Sequence, residues 1–233
     1  MNACFCTLAI HRPYRERARL LCGDAPNVPW VVLTDEPEDF EGFGVRAVRH
    51  VPTGPMAIDF VGKQILAADS TGGPAYHDKR FALQEALKEF DTAIFLDADT
   101  RISSLPQLPK LRPGITVTKA LQTSIADHLT RWGTERRPMF EQLAVYLGGG
   151  IEMLNTARWC FEALFAITKD GNEDKFLDTW QRSAEFLQSK GLFTGEGGVI
   201  GLAAVCAGWT IDFDSLDDLA ASIQHEGRGP KAD

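Results

Sequence analysis

A chain of 233 residues suits one large α/β domain. With 44% hydrophobic and 24% charged residues, it has the makeup of a globular protein that buries a real core. The formal charge of −8 argues against broad electrostatic binding to nucleic acid or to an anionic membrane. A phosphate ligand would therefore need a local device: a cation, a helix N-terminus, or a few placed Lys and Arg.

The opening MNACFCTLAI lacks a basic leader and a cleavage site. No run approaches the roughly 20 apolar residues of a membrane span. The expectation is a cytoplasmic protein with no transmembrane segment. Cys4, Cys6, Cys22, Cys160 and Cys206 sit in apolar runs and read as free thiols.

In chain order, Ala3–Ile10 reads as a buried strand, followed by a helix from about Pro13 with proline in its first turn. Pro29–Thr34 and Gly44–Val51 are further strands, and Pro52–Gly73 reads as an irregular loop with a short helix. A helix spans His77–Phe90, with Leu83, Leu87 and Phe90 on one face. Thr92–Leu96 (TAIFL) is a buried strand that runs into Asp-Ala-Asp-Thr.

The second half is less regular. Ile115–Lys119 reads as a strand, and Gln122–Val145 as mostly helical with a break near Gly133. Val145–Leu154 reads as a strand interrupted by three glycines. Helices are expected at Ala157–Ile167, Asp174–Ser189 and Glu196–Cys206, a strand at Trp209–Phe213, and an unstructured tail after Gln224. The alternation implies a mainly parallel sheet flanked by helices, with ligands beyond the carboxyl ends of its strands.

Asp97 and Asp99 lie at such an end. Alternate residues of an extended chain share a face, so the two carboxylates point the same way. Like charges that close either hold a cation or, more blandly, form a solvated acidic turn. Hard oxygen ligands there suit magnesium or manganese, which keep positions open for substrate phosphates. Lys79 and Arg80 fall in the first turn of the preceding helix, where cations oppose the macrodipole. A bound phosphate would resolve that conflict, and solvated surface charge is the alternative.

The segment KRFALQEALKEFDTAIFLDADTRI resembles the metal-binding region of GT-A fold glycosyltransferases, most closely the glycogenin and bacterial lipopolysaccharide galactosyltransferase group. CTLAIHRPY resembles the family's opening strand with its uracil-stacking tyrosine, here Tyr14. YLGGGIEMLNT is similar to the acceptor-side strand, where Gly149 and Gly150 would let the sugar approach. TGEGGVIG stands in the place of the family's G-D-Q-G-x-L-N segment, with Glu196 for its Asp, Gly197 for the Gln and Gly201 for the Asn. His225 and Lys231 are similar to a terminal H-x-x-G-x-x-K element that supplies a third metal ligand and a phosphate contact.

The resemblance implies a single GT-A-like domain over residues 1–233, with residues 1–120 binding nucleotide-sugar and 121–233 facing the acceptor. It implies a hexosyltransferase that uses manganese or magnesium and a UDP-linked sugar, retains configuration, and acts on a glycan, lipid or protein acceptor. Asp97, Asp99 and His225 would hold the metal. Tyr14, Asp35, Lys79, Arg80, Gly149, Gly150 and Lys231 would contact the donor, and Glu196 would be the catalytic residue, facing the oxocarbenium-like state or orienting the acceptor hydroxyl. The competing readings are a sugar-phosphate nucleotidyltransferase and a non-catalytic nucleotide-sugar-binding relative. A nucleotidyltransferase would carry a Gly-rich basic segment after the first strand, where this chain has HRPYRER.

Overall fold

A computed structural model describes residues 2–52, 76–104, 107–108, 110–118 and 122–225. The first strand, β1 (Ala3–Ala9), leads into α1 (Arg12–Asp24), whose first turn holds Pro13. β2 (Trp30–Thr34) and β3 (Arg46–Arg49) follow, both parallel to their neighbours. A short 3₁₀ turn at Tyr76–Asp78 then opens α2 (Lys79–Leu87), which feeds β4 (Thr92–Leu96).

The sheet order is β3-β2-β1-β4-β7-β6, where β6 is Gly114–Val117 and β7 is Leu164–Thr168. Only β7 runs antiparallel, against both β4 and β6. Every residue of β2, β4 and β7 is buried, as expected of strands covered on both faces. Side chains alternate between two cores. Cys4, Cys6 and Phe95 face α2, α6 (Glu173–Ser189) and α7 (Glu196–Ala207), while Phe5, Ile94 and Leu96 face α1 and α8 (Asp217–Ala221). The mixed, mainly parallel sheet expected from the sequence is therefore present. All five cysteines are free thiols, and Cys206 alone is partly exposed.

Three elements differ from expectation. The segment read as a helix at Ala157–Ile167 supplies β7, because its apolar run is inserted between β4 and β6 and pairs with both. The strand expected at Val145–Leu154 is the end of α4 (Arg137–Tyr146), a glycine turn, and the short α5 (Met153–Thr156). Gly148 and Gly150 take φ of 85° and 64° in that turn, a left-handed backbone that glycine adopts without strain. At Trp209–Phe213 a strand is reduced to one bridge, between Asp212 and Thr116.

The break expected near Gly133 is present. α3 (Ile125–Trp132) ends there, after an N-terminus capped by Ser124, which accepts from the Asp127 backbone N–H. The chain after Gln224 is still ordered at His225, the last residue of β8 (Ile223–His225). β8 pairs antiparallel with β5 (Thr100–Ile102), placing His225 opposite Thr100. Apart from Pro52, the loop expected at Pro52–Gly73 lies outside the described residues, as do Lys119 and Lys231.

Candidate functional site

β1 leads to β2 on one side of the sheet, while β4 joins β1 on the other. The strand order thus reverses between β1 and β4, the place where open α/β sheets bind ligands. A cavity of about 340 Å³ opens there at the carboxyl ends of both strands. Leu8, Ile10, His11 and Tyr14 line it from β1 and α1; Tyr76 and Lys79 from the start of α2. Asp97, Ala98 and Asp99 follow β4, and Phe161, Glu162, Ala163 and Glu196 come from the second half of the chain.

The turn after β4 is fixed through its backbone. Asp97 N–H donates to the Ala163 carbonyl at 3.0 Å, and the Thr100 hydroxyl donates to the Asp97 carbonyl at 2.6 Å. Asp97 and Asp99 both line the cavity. Lys79, buried in the first turn of α2, reaches across to Asp97 and Glu196. Its Nζ lies 2.8 Å from Asp97 Oδ1 and 3.6 Å from Glu196 Oε1, and donates to the Glu162 carbonyl at 3.2 Å. Burial opposes the lysine charge, but Asp97, Glu196 and Glu162 outweigh it and raise the pKa above the usual value. Lys79 is therefore a permanent cation.

Glu162 was not foreseen from sequence. It precedes β7 by two residues, and its Oε2 is buried with no hydrogen-bond partner among the described residues. Burial, then the Glu196 carboxylate, raise its pKa to about 7. Tyr76 behaves alike: burial and then Glu196 push its phenol to about 12, so it faces the cavity as a neutral hydroxyl. The only sequence signal for Glu162 is a lone acid inside the apolar run WCFEALFAI.

Glu196 opens α7 behind Gly195, whose φ of 96° sets the entry to the helix, and its Oε2 accepts from the Gly195 N–H at 3.1 Å. The glycines that follow have a packing reason. A Cβ at Gly201 would collide with the Arg158 carbonyl oxygen, and one at Gly197 with the Cys160 carbonyl oxygen and the Trp159 indole N–H. Asn and Gln at these positions, as in the family pattern, would not fit beside residues 158–160 as they stand here.

The other expected residues divide. Tyr14 lies on the cavity, partly exposed. Asp35 does not line it; instead its carboxylate accepts from the His11 backbone N–H at 3.1 Å and from Arg15 Nη1 at 2.8 Å. Those bonds hold His11 at φ 70°, ψ 150°, a conformation that costs a residue with a Cβ about 1–3 kcal/mol. Asp35 thus shapes the β1–α1 turn that presents His11 and Tyr14. Arg80 turns away from the cavity, with Nε donating to Gln181 Oε1 at 2.7 Å and Nη1 to the His77 carbonyl at 2.5 Å. Gly149 and Gly150, in the turn after α4, are not on the cavity either. Pairing of β8 with β5 brings the backbone of His225 beside Thr100, the residue after Asp99.

Among the described residues, no three His, Cys, Asp or Glu side chains gather as a ready-made metal cluster. Magnesium and manganese do not require one, since they commonly bind one or two carboxylates and take water and substrate phosphate for the rest. Asp97 and Asp99 on one wall of the cavity fit that demand.

Fold and site together define an α/β protein with a charged ligand cavity at the sheet's switch point. Among solved structures it is similar to the galactosyltransferase LgtC, crystallised with donor and acceptor sugar analogs, at 15% identity over 91% of this chain and 73% of that one, with a TM-score of 0.47. So distant a likeness does not say what this chain does. No family model matches the chain. No curated protein matches it. Among the described residues, no helix is long and apolar enough to cross a membrane.

Proposed function

We propose that the chain is a metal-dependent glycosyltransferase that moves a hexose from a UDP-linked donor to a glycan, lipid or protein acceptor with retention of configuration. The observation that carries this reading is the placement of Lys79 between Asp97 and Glu196 inside the switch-point cavity. The resemblance of the Lys79–Thr100 segment to GT-A glycosyltransferases supports it. In this reading residues 1–120 bind the donor, and residues 121–233 complete the acceptor side through Glu162 and Glu196.

Asp97 and Asp99 would hold manganese or magnesium, with His225 as a third ligand; when bound, the ion supplies Lewis-acid neutralisation of the donor's diphosphate. In transfer, the bond between the anomeric carbon and the diphosphate oxygen breaks, and its electron pair leaves on the nucleoside diphosphate. The acceptor oxygen forms the new bond and gives up its proton to the departing phosphate. Lys79 contributes a fixed positive charge beside the leaving group, at no reorganisation cost because Asp97 and Glu196 already hold it. Glu196 faces the positive charge that develops on the sugar ring. Tyr14 stacks on the base, and Lys231 adds a phosphate contact.

The test is incubation with manganese and UDP-hexoses, following release of UDP. Release by the wild type, lost in Asp99→Asn, supports the reading. UTP-dependent formation of pyrophosphate from a sugar 1-phosphate would instead assign a nucleotidyltransferase. UDP binding without release or transfer would assign a non-catalytic binder.

A further inference from the structure

Tyr76 starts the 3₁₀ turn that opens α2, three residues before Lys79. Residues three apart share a face of such a turn, and the phenol and the lysine both line the cavity. After burial, the strongest influences on the phenol are Glu196, Tyr14, Lys79 and Asp97, in that order. Tyr76 is only partly buried, and its hydroxyl has no hydrogen-bond partner among the described residues.

The lysine beside it has no proton to spare for a ligand. An ammonium carries three N–H donors. Lys79 Nζ meets Asp97 Oδ1 at 2.8 Å and the Glu162 carbonyl at 3.2 Å, with Glu196 Oε1 ion-paired at 3.6 Å. A ligand oxygen would have to displace one of these, so Lys79 offers the cavity charge rather than a further hydrogen bond. The ionised carboxylates on the same wall only accept. A phosphate oxygen is an acceptor too, so its donor beside Lys79 has to be a neutral group, and the Tyr76 hydroxyl is placed to be it. Burial, then Glu196, raise the phenol's pKa to about 12, so it donates a hydrogen bond and keeps its proton.

We propose that Tyr76 is a catalytic residue that donates a hydrogen bond to the diphosphate oxygen leaving the anomeric carbon, an inference that rests on the nucleotide-sugar reading above. As the bond between carbon and oxygen breaks, the electron pair stays on that oxygen and the phenol O–H stabilises it. The proton of the acceptor still goes to the departing phosphate, and Tyr76 ends the step unchanged. Charge on the oxygen grows towards the transition state, so the hydroxyl acts on kcat more than on binding.

The test compares wild type with Tyr76→Phe, which keeps the ring and loses only the hydroxyl. UDP release is followed with manganese and the UDP-hexose that the wild type turns over fastest, and UDP binding is measured by calorimetry. The variant is expected to lose about 100-fold or more in kcat, with KM and the Kd for UDP within about threefold of wild type. A kcat within about threefold of wild type, or a loss confined to KM, overturns the proposal and leaves the nucleotide-sugar reading intact. Urea unfolding should give the two proteins the same midpoint. A lower midpoint in Tyr76→Phe would mean that the hydroxyl is already bonded within the protein, and overturns the proposal as well. A wild type that releases UDP from no UDP-hexose overturns both readings.

Discussion

Lys79 Nζ and Asp97 Oδ1 stand 2.8 Å apart, with the lysine side chain 6% and the aspartate side chain 23% exposed. The pair joins the first turn of α2 to the end of β4, the strand that α2 precedes. Because the same ammonium also faces Glu196 at 3.6 Å, one cation ties the two halves of the chain together across the cavity. Removing the cation leaves the buried Glu196 carboxylate and the partly buried Asp97 carboxylate uncompensated. Lys79→Met is therefore expected to cost roughly 3–5 kcal/mol of stability, read from urea unfolding with an unchanged m-value. A loss under about 1 kcal/mol would mean that the pair is held far more loosely than the geometry shows.

The glycines of α7 give a second, purely steric prediction. Gly201→Ala sets a methyl group against the Arg158 carbonyl, so it should destabilise by about 1–3 kcal/mol or more. Gly23, within α1, has nothing within 4 Å of a built Cβ and does not need a left-handed backbone. Gly23→Ala should be neutral or stabilise by up to about 1 kcal/mol. Thermal melts of the two variants should move in opposite directions, or at least differ clearly.

Acid should destabilise the protein through His77. This histidine is fully buried, neither ring nitrogen has a hydrogen-bond partner among the described residues, and burial followed by the Arg80 charge lowers its pKa to about 3. The unfolded chain takes up that proton near pH 6.5, the folded chain only near 3. Its contribution is therefore complete above pH 6.5 and is lost as pH falls through that window. His77→Leu should flatten the slope of stability against pH between about 6.5 and 3.

Glu162 has the opposite sign. Its folded pKa of about 7 lies above the ordinary 4.5, so the folded state holds a proton that the unfolded chain releases. Stability from this group is complete below pH 4.5 and is lost as pH rises through 7. Glu162→Gln should remove that fall, giving a protein more stable than wild type at pH 8 and little changed at pH 4. A variant less stable at pH 8 would mean that the carboxylate has a favourable partner.

The parts legible in the sequence were those encoded locally. TAIFL is apolar enough to be a strand buried on both faces, and Asp97 and Asp99 at its end do face the cavity. Lys79 was singled out by its place in the first turn of the helix and by the resemblance of its segment. Arg80 shows the limit of that argument, since the neighbouring position on the same helix aims its guanidinium at Gln181 on α6. Neither the identity of β7 nor the exposure of Glu162 to the cavity is written locally: both follow from antiparallel pairing with β4. The glycines at 148–150 can interrupt a strand or end a helix, and the packing around α4 selects the second.

The most direct measurement is calorimetric titration of UDP, with and without manganese, into wild type and Asp97→Asn. A metal-bridged diphosphate at the end of β4 requires that UDP bind the wild type only with manganese, and at least about tenfold more weakly in Asp97→Asn. Binding that ignores both the metal and the substitution, or no binding at all, would contradict the assignment of Asp97 and Asp99 as the metal site of a glycosyltransferase.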